Sequence, residues 1–324
     1  MKYETAGDPI SGLKWTRRTT MKIAEELKNI GIQVSPNTVA KLLKEMGFSL
    51  RVNQKKNSVS SVSPQIRDEQ FTYISKMRKE FTSRGAIVIS VDTKKKEMIG
   101  CFKNEGQTWT RKPILVNDHD FRSQAEGIAN PYGIYDLQAN RGTVYIGTTA
   151  DTPWFATDCL AQWYAEEGQK RYPHTTELLI LADGGGSNRA GSYVWKYGLK
   201  TKLCNRFGIS VTVCHYPPGA SKWNPIEHRL FSEISKNWAG RPLDSYNTML
   251  NYIRTTTTRN GLEVSASLME INYEKGMKVS KEQIQELSDE KHAVQPKRNY
   301  TLHPKQVQAY ILSGFNCQRS IKIR

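Results

Sequence analysis

The chain is poor in cysteine and makes no visible use of what it has. Cys101, Cys159, Cys204, Cys214 and Cys317 are odd in number, scattered and never spaced as Cys-x-x-Cys, which predicts reduced thiols and excludes a zinc finger or a disulfide framework. No apolar run approaches the roughly 18 residues that a membrane-spanning helix needs, and the start, MKYETAGDPISG, lacks the apolar core of a signal peptide. No membrane partner is expected, and a cytoplasmic location is. A Gly-x-Ser-x-Gly elbow, a His-Glu-x-x-His pair, a dinucleotide fingerprint, a P-loop and internal repeats are all missing, so serine-hydrolase, zincin and nucleotide-fold chemistry has no support. Acid is also scarce: 31 Asp and Glu stand against 47 Lys and Arg in 324 residues, a net charge of +16. Such an excess draws in a polyanion by releasing its condensed counterions, which makes nucleic acid the expected partner class. With 38% hydrophobic residues the chain can bury one large core or two modest ones.

The chain divides by pattern. Residues 1–56 carry 11 Lys and Arg against 5 Asp and Glu. They predict a first helix over about 20–30, with Ile23, Leu27 and Ile30 on one face and Gly31 at its end. A second helix follows, capped by Ser35, opened by Pro36, striped by Val39, Leu42, Leu43 and Met46, and closed by Gly47. This is helix-turn-helix punctuation. In that motif the second helix would offer Asn37, Thr38 and Lys41 to base edges, with residues 48–56 as a basic wing; a plain helical hairpin is the alternative. The Ser-rich stretch 57–64 marks a linker, and a connecting helix runs on to about residue 84. Strands are predicted at 86–92, 133–137, 143–148, 177–183 and 209–216, with helices opening at Thr152-Pro153, near Ser192 and at Asn224-Pro225. Strands first cluster and then alternate with helices, so the fold class is α/β with a mixed sheet over 86–276. The segment 277–324 reads as a basic extension: from Lys291 onward it holds 7 Lys and Arg and no acid, which suits either a solvated tail or a DNA contact.

Three carboxylates fall at the ends of these elements. Asp92 closes the strand AIVISVD, Asp183 closes ELLILAD, and Glu227 stands in the first turn of the helix opened by Asn224-Pro225. Carboxyl ends of buried strands share one rim, so the three acids can meet in a crevice. Three packed acids repel one another unless a cation neutralises them, and hard oxygen donors favour Mg²⁺ or Mn²⁺, with two ions serving an in-line phosphoryl displacement. Each acid has a structural alternative. A strand-end Asp is often a turn or cap residue, and Asn224-Pro225-Ile226-Glu227 spells a capping box. After Asp183, three glycines let a bulky ligand approach, and Ser187 and Asn188 offer hydrogen bonds to phosphate. Lys222 could meet a phosphate, and Trp223 could stack on an unpaired base or pack in the core. His119, His215 and His228 have no assigned role; Asp120 and Asp136 are reserve carboxylates.

Taken together, VSVDTKKKEMIGCFKN (90–104), HDF (119–121), PYGIYDL (131–137), LADGGGSN (181–188) and VCHYPPGASKWNPIEHRLFS (213–232) are far more specific than any one of them. On these segments the chain resembles the Rhodopirellula-type DDE transposases of bacterial insertion sequences. The likeness includes GDPISGLKWTRRTTMKIAEEL and VSPNTVAKLLKEMGFSL before them and TTTRNGL after. It implies an RNase H-like catalytic domain whose acidic triad is Asp92, Asp183 and Glu227, with Asp151 and Thr152 near the site. It further implies two Mg²⁺ or Mn²⁺ ions, metal-dependent cleavage and strand transfer at element ends, and double-stranded DNA partners, both the terminal inverted repeats and the target. A DNA-assembled homo-oligomer follows from the need to pair two ends. Family members usually begin further upstream with another helix-turn-helix segment. A DNA-binding remnant, or an RNase H-like nuclease without strand transfer, are the alternatives in function.

Overall fold

The computed structural model describes residues 18–50, 63–220 and 223–305, together with the backbone of two short strands, β1 (Thr5–Gly7) and β2 (Lys14–Thr16), paired antiparallel. The chain forms two compact units, Met1–Ser58 and Val59–Arg324.

In the first unit, α1 (Thr20–Asn29) is capped by the Thr19 hydroxyl, which accepts from Lys22 N, and α2 (Pro36–Glu45) by the Ser35 hydroxyl, which accepts from Thr38 N. Gly31 and Gly47 close the two helices in the left-handed region, at φ 86° and 81°, where a side chain would be strained. Ile23, Ala24 and Val39 are buried together, with Leu27, Val34 and Leu43 against them. Three residues expected in the buried stripes are not there: Ile30, Leu42 and Met46 are exposed. Two helices of 10 residues can bury only one narrow stripe each against the other.

The second unit is built on a mixed sheet of nine described strands, ordered β10-β11-β8-β7-β3-β5-β6-β9, with β4 (Glu97–Ile99) on β5. Its centre is β3 (Ile87–Thr93), flanked by antiparallel β5 (Gly127–Asp136) and parallel β7 (Glu177–Ala182). Outward lie β6 (Arg141–Gly147) and β8 (Ser210–His215), which completes the RNase H-like arrangement that the resemblance implies. The central strands are buried nearly end to end, as strands covered on both faces must be. On one face Ile87, Ile89 and Val91 pack with Phe155, Leu160 and Trp195 from α4 (Pro153–Trp163) and α6 (Tyr193–Leu199); α4 runs on through a widened turn, Tyr164–Gly168, into α5 (Gln169–Arg171). On the other, Val88 packs with Ile74, Met77 and Phe81 of α3 (Pro64–Ser83), so this helix belongs to the sheet unit. A helix opening at Asn224-Pro225 passes through a widened turn, Glu227–Phe231, into α7 (Ser232–Asn237). With α8 (Tyr246–Arg254) it covers β5 and β6.

Two differences from expectation concern the end of the chain. Residues 263–269 form β9 (Glu263–Met269), parallel to β6. The segment read as a basic extension instead contributes a short helix, α9 (Lys281–Gln285), and the hairpin of β10 (Asp289–Lys291) and β11 (Asn299–Leu302), with β11 fully buried against β8. Among the described residues no helix is long and apolar enough to cross a membrane.

Candidate active site

Alternation along β3 places Ser90 and Asp92, two residues apart, on one face of the sheet. Asn224 comes against that face and is completely buried. Its amide donates to the Val91 carbonyl (3.3 Å) and to Asp92 Oδ2 (3.4 Å), and its carbonyl oxygen accepts from the Ser90 hydroxyl. The Ser90 Oγ in turn accepts from Ile226 N at 3.1 Å. The first turn of the Glu227 helix is therefore capped by a serine on a strand more than 130 residues earlier in the chain, while Asn224 is turned toward the aspartate. The local capping box that Asn224 and Glu227 spell does not form: Glu227 N donates to the Asn224 backbone carbonyl (3.1 Å), and the Asn224 side chain is engaged by Ser90, Val91 and Asp92 instead.

Gly133 sits opposite Asp92 in the β3–β5 register. A Cβ there would lie 2.5 Å from the Phe231 ring and 2.9 Å from Ile226 Cδ1, so only glycine lets the helix lie this close to the sheet beside Asp92.

The carboxylates of Asp92, Asp183 and Glu227 are brought together closely enough to repel. Burial, and the neighbouring Asp183 and Glu227 charges, push Asp92 up to about 8. Asp183 is raised by burial and by Glu227 and Asp151. Glu227 is raised by burial, against the pull of His228 and Lys94. The hydrogen bonds made to Asp92 and Asp183 come from neutral groups: Thr93 N (2.8 Å) and Asn224 for Asp92, the Gly185 N–H and the Asn188 side chain for Asp183. Among the described residues, no three acidic, His or Cys side chains are arranged tightly enough around one point to ligate a single ion.

Asp151 is a fourth acid at this rim. Its pKa is raised by burial, and it accepts from Thr93 Oγ1 at 3.4 Å and from Ser187. Thr152 caps α4. Ser187 and Asn188 are buried rather than displayed. Ser187 Oγ lies 3.1 Å from Thr93 Oγ1, and Asn188 Oδ1 accepts from the Tyr132 hydroxyl (2.9 Å). They stand behind the carboxylates, not on an open phosphate-binding surface. Trp223 is 46% exposed, with Phe71 at 5.5 Å and the Arg67 guanidinium at 4.9 Å from its ring, which makes it neither core nor a bare platform. Lys222 lies outside the described residues. Asn37, Thr38 and Lys41 are exposed on the first turns of α2, with Thr38 Oγ1 2.9 Å from Ser35 Oγ and Lys41 4.0 Å from Glu45; most of the expected basic wing lies outside the described residues.

Sequence patterns did not single out Ser90 or the part played by Asn224 and His215. His215 is fully buried and burial pushes it down to about 4. A carbonyl can only accept, so the neutral ring donates from Nδ1 to the Asp183 carbonyl (2.9 Å) and accepts at Nε2 from the Tyr300 hydroxyl (3.3 Å), whose oxygen accepts from Trp195 Nε1 (3.0 Å). Three buried side chains thus fix the backbone on which Asp183 stands.

Residues 1–304 match the family model described as the Rhodopirellula transposase DDE domain. No curated protein sequence matches the chain. Among solved structures it is similar to the Mos1 transposase paired-end complex with left transposon end, at 14% identity and a TM-score of 0.44 over 73% of this chain and 65% of that one. It is also similar to a pre-cleavage Mos1 transpososome, at 13% identity and 0.45 over 73% and 66%, and to the Mos1 strand transfer complex, at 16% identity and 0.42 over 73% and 64%. The chain spans just under two thirds of the length of those chains.

Proposed function

The chain belongs to the Rhodopirellula transposase DDE-domain family, and from that premise we propose that it cuts and joins DNA at the ends of an insertion sequence. Asp92, Asp183 and Glu227 are its catalytic residues. The observation that carries this is electrostatic: Asp92 is buried and Asp183 and Glu227 are half-buried within reach of it, burial raises all three, acidic neighbours raise the two aspartates further, and the hydrogen bonds to those aspartates come from neutral donors. Such a group is costly unless a cation completes it.

The donor set fits Mg²⁺ or Mn²⁺, since every donor is a hard carboxylate oxygen and neither thiol nor imidazole is among them. Asp92 and Asp183 would hold one ion, and Glu227 with one of the aspartates a second. Bound there, the ions would supply charge neutralisation at the attacking and leaving oxygens of a phosphoryl displacement. The rest falls to the protein's own groups. Asn224 and Thr93 N orient Asp92, while Asn188 and Gly185 N orient Asp183. Water then cuts at the 3′ end of the element, and the freed 3′-hydroxyl attacks target DNA; both are direct displacements with no covalent enzyme intermediate. Asn37, Thr38 and Lys41 would read base edges of the terminal repeats, Lys222 and Trp223 would lie along the strand, and pairing two ends calls for at least two protomers on DNA.

Asp183→Asn should leave binding to terminal inverted repeats nearly intact and abolish Mg²⁺-dependent nicking; undiminished nicking overturns the assignment. With pre-cut ends, a target plasmid and Mg²⁺, joining is expected. Cleavage without joining would mark a nuclease, and binding without either would mark a DNA-binding remnant.

A further inference from the structure

The hairpin that the chain adds after α9 builds one wall of a cleft. β11 pairs with β8, and His215 N donates to the Arg298 carbonyl at 3.1 Å, while His215 is the register partner of Ala182 on β7. The residue before β11 therefore stands at the same sheet end as Asp183. The turn that delivers it is rigid. Arg298 N and Asn299 N both donate to the Gln295 carbonyl (2.7 and 3.0 Å), with Gln295 in the left-handed region at φ 45°. Buried Asn299 and buried Gln70 of α3 exchange side-chain hydrogen bonds of 2.7 and 2.8 Å, and Gln70 also donates to the His215 carbonyl (2.9 Å).

Between this turn and the Gly184–Gly186 loop lies a cleft of about 940 Å³ that begins at Asp183. Arg189, Lys196, Lys291, Lys297 and Arg298 line it, and Asp183 is its one acid. Lys196 is paired with Asp289 at 2.7 Å; Arg189, Lys291 and Lys297 are exposed, and none of the other four cations forms an ion pair with a described residue. Arg298 donates to the Tyr216 carbonyl (3.2 Å), and its guanidinium lies 3.6 Å from where a Cβ of Gly184 would be. The Tyr193 ring, 54% exposed, completes the lining. Cations that track a backbone, an exposed aromatic face and glycines that admit close approach are what a groove for a single nucleic-acid strand requires.

We propose that this cleft holds a DNA strand, unpaired from its complement, where it enters or leaves the acidic site. Its phosphates lie along Arg189, Lys291, Lys297 and Arg298, and one base stacks on Tyr193. This deepens the transposase reading and rests on it.

The test measures binding of a fluorescent oligo-dT strand and of a duplex of equal length, in metal-free buffer over a range of KCl. Replacing Arg189, Lys291 and Lys297 together with Ala leaves Arg298 and its carbonyl hydrogen bond in place. It should lower the slope of log K against log [salt] for the single strand by about 2, roughly 0.7 for each phosphate that the variant no longer neutralises. The triple variant Lys76→Ala, Arg78→Ala, Lys79→Ala removes the same charge from exposed positions of α3 and should leave that slope unchanged. Tyr193→Ala should weaken the single strand by about tenfold and spare the duplex, while Tyr193→Phe restores binding. An unchanged slope in the cleft variant, an equal loss in the α3 variant, or an equal effect of Tyr193→Ala on strand and duplex overturns the proposal. If the cleft fails in this way while Asp183→Asn still abolishes nicking, the function stands without it; if the parent chain binds neither probe and does not nick, both fall.

Discussion

Asp92 and Asp136 are buried aspartates on adjacent strands, and their surroundings are opposite. In the β3–β5 register Asp136 faces Ile89 and Asp92 faces Gly133, three residues or roughly 10 Å apart along the strands. Asp136 accepts from Arg171 Nη1 (2.9 Å), from the Tyr172 hydroxyl (3.0 Å) and from the N–H groups of Gln138 (3.1 Å) and Ala139 (3.0 Å). Its charge is answered in full. It holds the end of the sheet together and is not a reserve for the site. Asp92 meets neutral donors on one side and two more acids on the other. One aspartate is buried where it stabilises, and the other where it costs.

The largest expected contrast is in activity. Asp92→Asn should reduce nicking of element ends to background, whereas Asp136→Asn should nick normally per folded molecule but lose about 1–3 kcal/mol, because Arg171 keeps only Glu167 of its two carboxylates and the other donors to Asp136 lose their charged acceptor. Nicking assays and urea unfolding separate the two. Asp92 also carries a pH dependence: with its carboxyl held at about 8, the folded chain keeps a proton that the unfolded chain releases near 4, so stability falls as pH rises from about 4 toward 8. Asp92→Asn removes that fall. Mg²⁺ should raise the parent's Tm at pH 8 and leave that of Asp92→Asn nearly unchanged.

A second way to sharpen the contrast is Gly133→Ala. The added methyl has to displace Phe231 and Ile226, at a cost of about 1–3 kcal/mol, and it moves the Glu227 helix off the Asp92 end of the sheet. Nicking should drop by more than the stability loss explains. His215 is third. It is held at about 4, below its ordinary 6.5, so on acidification the unfolded chain takes up the proton first and stability is lost between about pH 6.5 and 4. From pH 7 to 5 the parent should lose about 2 kcal/mol through this group, a loss absent in His215→Asn and visible in urea midpoints. The smallest effect belongs to Ser90→Ala, about 1–2 kcal/mol, for a lost cap and an Asn224 carbonyl left unanswered; Asn224→Ala should also weaken nicking.

The cores of the five central strands were legible as apolar runs bounded by turn residues, and Asp92 and Asp183 stand where two of those runs stop; β5 was legible only from residue 133, because its first six residues, Gly-Ile-Ala-Asn-Pro-Tyr, break the apolar run. The strands β9 and β11 were not. Asn299–Leu302 is four residues long, set among Lys and Arg, and becomes a buried strand only because β8 lies beside it. The helix stripes of the first unit were legible as helices but not as buried surface, since Leu42 and Met46 have no cover among the described residues of that unit. Glu227 could be placed near a helix start. The capping pattern around it could not reveal that Ser90 replaces Asn224 as the cap, because a partner so distant in sequence leaves no spacing to read.

That borrowed cap has a consequence for how the protein is made. A helix whose opening N–H is satisfied by its own neighbour can form as soon as it leaves the ribosome. This one gains its closing bond only after β3 is in place and the chain has been synthesised past residue 226. A nascent chain thus carries two aspartates and no seated glutamate, and the three-acid cluster comes into being only with the finished sheet.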